Sequence, residues 1–174
     1  MLRVNGYDIR NAIRRWLDRS QRSETKFRDS LWSFDKEVKQ GVVNEPANKF
    51  WEANIAVVKL ELLQQKYNHT TTVKIDNKDM SLAEAVMLQG PSGRMEKLWK
   101  FAATDTGEDR SYRSRSLTRN KDEVSAQRTL DEETAAGHCE TSAIFAAHVR
   151  RAVAVGNNSE IEVTDNDLER YLTL

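Results

Sequence analysis

Apolar residues recur at three- and four-residue intervals along most of this chain, and only two prolines, Pro46 and Pro91, interrupt it. That pattern restricts the fold to long helices: such spacing lines one face of a 3.6-residue turn and cannot line one face of a strand. Over residues 7–40 the stripe runs through Ile9, Ile13, Trp16, Ser20, Phe27, Leu31 and Phe34. Gly41 follows, suited to a left-handed stop. "NEPANKFW" then restarts a helix with Pro46 in its first turn, where a missing N–H breaks no bond. Residues 47–68 carry Phe50, Trp51, Ile55, Val57, Val58, Leu60, Leu62 and Leu63 on more than one face. Such a helix is either central in a bundle or shared with another subunit.

Helical spacing breaks off at "TTTVKI" (70–75), whose β-branched alternation predicts a short strand, and "DNKD" makes a turn after it. Ser81 and Glu84 stand at capping-box spacing, so a helix starts there and runs to about Leu88. "GPSG" (90–93) is expected to interrupt it; it resumes with Met95, Leu98, Trp99 and Ala102 facing inward and stops near Gly107. A charged loop over 108–125 leads to a last long helix, about 130–155, ended by Gly156. "EIEV" (160–163) reads as a second strand and "DNDLERYL" as a final short helix. Unpaired strand backbone is costly, so the two strands are expected to pair with each other. The expected fold is mostly α: one domain, an antiparallel helical bundle of long helices at 7–40, 46–68, 81–105 and 130–155, with a small two-stranded β ribbon.

Lys plus Arg and Asp plus Glu number 27 each in 174 residues, so overall charge points to neither nucleic acid nor membrane. One cysteine excludes an internal disulfide and a cysteine-based zinc cluster. The first residues lack a signal peptide's apolar run, and no stretch approaches the roughly 20 apolar residues of a membrane span. The cytoplasm is the expected compartment.

"AAGHCETSA" (135–143) sets Cys139 beside His138, the arrangement that invites a thiol–imidazole reading. Consecutive helical side chains point about 100° apart, which places that base poorly. Cys139 also shares a stripe with Ser142, Ala146, Val149 and Val153, so packing is the expected role. Ala135, Ala136, Gly137, Ala143 and Ala147 make this helix thin, which suits close approach of another backbone. His69, His138 and His148 show no metal-ligand spacing; no metal, cofactor or catalytic set is expected. "GPSGR" with Arg94 lacks the ending of a phosphate loop and reads as a helix break.

Two basic segments remain. Arg110, Arg113, Arg115, Arg119 and Lys121 surround Tyr112 with no acidic residue between them, a composition that suits phosphate contact and base stacking. The first helix carries Arg10, Arg14, Arg15, Arg19, Arg22, Lys26 and Arg28, but Asp18 lies four residues from both Arg14 and Arg22, the spacing of ordinary surface pairing.

"TTTVKIDNKDMSLAEAV" (70–86), following a long helical hairpin, resembles the strand–turn–helix element of the septicolysin-like family of small bacterial helical proteins. The resemblance covers about a tenth of the chain and implies a protein that assembles through its helices. It carries over no catalytic residue.

The expected function is therefore structural: a homo-oligomer that self-associates through Phe50, Trp51, Ile55, Val58 and Leu62. The alternative is a nucleic-acid or phosphate-binding module using Arg110, Arg113, Arg115, Arg119 and Lys121. An enzyme built on Cys139 stands third.

Overall fold

Asn5 opens the first helix. In the computed structural model, which describes residues 2–32, 41–105 and 128–173, its side-chain oxygen accepts the N–H groups of Tyr7 and Asp8 at 2.9 and 3.1 Å. The Asp8 carboxylate accepts the Asn5 N–H in return at 3.0 Å. This capping box satisfies donors that a helix start leaves free, a contribution of about 1 kcal/mol. Helix α1 (Gly6–Ser30) buries Ile9, Ala12, Trp16, Ser20 and Ser23. It ends ten residues earlier than the periodicity predicts. Beyond Ser23 burial along the stripe falls away: Phe27 is half-buried and Leu31 exposed. Phe34 lies outside the described residues.

Gly41 adopts φ +89, the left-handed conformation expected of it, and helix α2 (Asn44–Thr70) follows with Pro46 in its first turn. The fold is mostly α, and α1 and α2 form its first antiparallel pair. Their two ends establish the direction. A Cβ added to Gly6 would come within 2.8 Å of the Tyr67 ring, while further along Asn54 Nδ2 donates to Ser20 Oγ at 3.0 Å.

The described chain gathers into two compact units. The first comprises Met1–Val73, Ser81–Ala83 and Ala154–Leu174; the second comprises Lys74–Met80 and Glu84–Val153. In the first unit, strand β1 (Leu2–Val4) pairs antiparallel with β4 (Ile161–Val163), Leu2 opposite Val163 and Val4 opposite Ile161. The short helix α5 (Asn166–Thr173) closes on α1. Trp16 Nε1 donates to the Tyr171 carbonyl at 2.9 Å, and the two rings meet edge to face at 5.4 Å.

The expected ribbon is corrected here. "EIEV" pairs not with "TTTVKI" but with the N-terminal Leu2–Val4, which is too short to show a period. Strand β2 (Thr72–Ile75) pairs with its immediate successor β3 (Lys78–Ser81). Asp76 and Asn77 take φ 47 and 66, the two positive values of a type I′ turn, whose twist matches a tight hairpin.

Helix α3 (Leu82–Thr104) is continuous, with Pro91 inside it, so "GPSG" does not interrupt it. An interior proline frees the carbonyl four residues back, that of Met87, a residue on an exposed face where water can satisfy it. No helix start therefore exists at 90–94 to hold an anion. Helix α4 (Glu132–Asn158) likewise runs through Gly156 rather than stopping there. A Cβ on Gly156 would lie 2.7 Å from both Leu82 Cδ1 and Val73 Cγ1. This glycine serves close packing, not termination. Tyr67 Oη lies between the Gly156 and Ser159 carbonyls, at 2.8 Å from the latter. Burial raises the Tyr67 pKa above its ordinary value.

In the second unit α3 and α4 pack antiparallel. Arg128 donates to the Ala102 carbonyl, the Trp99 and His138 rings stack at 4.3 Å, and Arg150 bonds Glu96 at 2.9 Å. Ile75, Ala85, Ala146, Val149 and Ala152 are buried there. Met95 and Leu98, expected to face inward, are 50 and 59 % exposed.

Candidate functional site

Helix α2 has two apolar faces. The inward one consists of Ala53, Ala56, Val57, Leu60, Leu63 and Tyr67, all buried. Trp51, Ile55, Val58 and Leu62 follow spacings of four, three and four, and at about 100° per residue they fall on the opposite side of the helix. Trp51 is 68 %, Val58 53 % and Leu62 60 % exposed; Ile55 is half-buried. The spacing is that of an a/d seam, the narrow stripe by which one helix meets another.

Of the five residues expected to form an interface, these four share one face. Phe50 does not. It precedes Trp51 by one position and so points about 100° away, toward the edge of the inward face. Its carbonyl accepts from Asn54 Nδ2 at 2.7 Å.

One ion pair stands beside the seam: Lys59 donates to Asp167 at 2.6 Å. Two others, Lys49 with Glu45 and Arg170 with Glu52, lie away from it, toward α1. The hydrogen bond from Lys59 holds the Asp167 carboxyl below the ordinary carboxylate range, and the same bond raises the Lys59 ammonium. In the second unit, α3 carries its own exposed set, Met87, Met95, Leu98 and Phe101. The sequence reading missed it by assigning Met95 and Leu98 to a core.

The other candidates are placed as follows. Arg110, Arg113, Arg115, Arg119 and Lys121 lie outside the described residues. His138 lies flat against Trp99, and Cys139 is half-buried on the stripe that leads to buried Ala146, Val149 and Val153. Gly137 is open: an added Cβ would meet nothing within 4 Å, so no backbone among the described residues requires this glycine. His148 Nδ1 sits 2.6 Å from Asp76 in the hairpin turn. Among the described residues no three of His, Cys, Asp and Glu gather as a metal site, and no helix is long and apolar enough to cross a membrane.

Comparison with family models, curated proteins and solved structures finds no match.

Proposed function

We propose that the protein is an assembly module that self-associates through the outward face of α2. The observation that carries this reading is the seam of exposed Trp51, Val58 and Leu62 with half-buried Ile55, opposite a face of the same helix that the chain itself covers. A monomer leaves that apolar surface in water at a cost of about 25 cal/mol per Å². A second copy removes the cost with the same residues, since a seam on one helix is complementary to itself about a two-fold axis. The Lys59–Asp167 ion pair beside the seam adds to the polar rim that interfaces of this kind carry. The exposed apolar set on α3 adds a further surface for assembly. Self-association through helices also agrees with what the strand–turn–helix resemblance implies.

The test is the solution mass of the protein against that of a Val58→Glu/Leu62→Glu variant. Self-association that the variant abolishes supports the reading; a wild-type monomer at all accessible concentrations removes it.

A further inference from the structure

The chain's charges balance, yet they are not evenly spread. A groove of about 340 Å³ opens in the first unit, and Arg19, Arg22 and Lys26 of α1, Lys49 of α2 and Arg170 of α5 line it. Arg19, Arg22 and Lys26 stand at spacings of three and four, so one face of α1 presents all three. Among the described residues Arg170 pairs with Glu52, which is in the lining, and Lys49 pairs with Glu45. Arg19 has contacts of its own and is not free. Lys49, with a weaker contribution from Lys26, holds the Glu45 carboxyl below its ordinary range. Arg22 and Lys26 have no ion-pair partner among the described residues, and Asp18 pairs with neither Arg14 nor Arg22. The spacing that read as ordinary surface pairing is not used.

The groove's chemistry narrows what it holds. Its floor is Trp16, but that ring is 4 % exposed and the Arg19 guanidinium covers it at 4.6 Å. A nucleobase therefore has no platform to stack on there, which a single-stranded nucleic-acid site needs. Buried Ser23 adds a hydroxyl to the lining. The volume falls at the lower end of small-ligand sites, about 300–1,000 Å³. Several cations converging on a confined space, with a hydroxyl and no stacking surface, match one compact, highly charged anion.

We infer that this groove binds a polyphosphate group, held by Arg22 and Lys26 with Arg19, Lys49 and Arg170 around it. Charge-assisted hydrogen bonds to phosphate oxygens supply the affinity. Inorganic polyphosphate and the phosphate tail of a nucleotide share this chemistry.

Calorimetric titration of the full chain with inorganic tripolyphosphate, with ATP and with a dodecathymidylate separates the sources. The expected result is saturable one-to-one binding of tripolyphosphate, weakened by about tenfold or more in an Arg22→Ala/Lys26→Ala variant. Both residues are exposed and make no ion pair among the described residues, so the variant keeps the wild-type unfolding midpoint. Arg10→Ala/Arg14→Ala removes two charges from the same helix outside the groove and leaves the affinity unchanged. Equal binding of tripolyphosphate and ATP identifies the phosphates alone as the ligand. Tighter binding of ATP identifies a nucleotide; both results support the inference. Three results overturn it: no saturable binding of either compound, equal losses in the two double variants, or binding of the oligonucleotide alone.

Discussion

The two faces of α2 carry side chains of similar kind and meet opposite fates. Leu60 is fully buried, and Leu62, two residues on, is 60 % exposed. One face packs against α1 and closes around Tyr67; the other ends at solvent. Composition does not separate them, since both are apolar at helical spacing. What separates them is that the described residues supply partners for one face only. The contrast teaches that the outward residues do not hold the monomer together, and substitutions should divide accordingly.

The largest effect is expected on the inward face. Leu60→Ala leaves a cavity in a fully buried position and should cost about 2–5 kcal/mol in urea unfolding. A loss below about 1 kcal/mol would mean that the site collapses freely and that the two faces are not distinct. Tyr67→Phe comes next. It removes the hydroxyl from the buried carbonyl of Gly156 and the half-buried one of Ser159, and should cost about 1–3 kcal/mol by the same measurement.

On the outward face, Val58→Glu/Leu62→Glu should change monomer stability by no more than about 0.5 kcal/mol per site, measured where the wild type is dilute enough to dissociate. The same variant should abolish self-association in sedimentation runs at high concentration. A large stability loss in the dilute variant would show that the outward face belongs to the chain's own core.

The smallest effect concerns the rim. Lys59→Met removes the bond that lowers the Asp167 pKa. In a carbon-detected titration the Asp167 carboxyl should shift upward, toward the ordinary carboxylate range. The sign for stability follows. Asp167 is depressed in the folded state, so the pair's contribution is present above the unfolded carboxylate pKa and is lost as pH falls through the folded value. An unmoved titration would show the pair is not formed in solution.

Long helices were legible because their signal is long. Ile9 and Trp16, then Val57, Leu60 and Leu63, recur often enough to define a face, and Gly41 and Pro46 mark a boundary by their own backbone chemistry. Strand pairing was not legible. Leu2–Val4 is three residues long, and three residues carry no period, so the true partner of Ile161–Val163 went unseen. Pro91 and Gly156 misled for a related reason: each is a helix breaker by propensity, and tertiary placement overrode both, one on an exposed surface and one under Leu82 and Val73.

The outward seam was half legible. Eight large apolar residues named within 47–68 indicated that more than one face is apolar, and Trp51, Ile55, Val58 and Leu62 follow from spacing alone. Which face the chain would cover depends on α1, and Phe50 was grouped with the seam by proximity in sequence rather than by angle. The basic groove was the least legible feature. Arg19, Arg22 and Lys26 stood out as charges of one helix, but Lys49 and Arg170 arrive from α2 and α5.

The most direct measurement is light scattering on the purified chain, over a range of concentrations and at low and high salt, beside the Val58→Glu/Leu62→Glu variant. An apolar seam predicts a wild-type mass of at least two chains that salt does not reduce, and a single chain for the variant. A wild-type mass of one chain throughout, or an assembly that the variant leaves intact, would contradict the assignment of the α2 outward face to self-association.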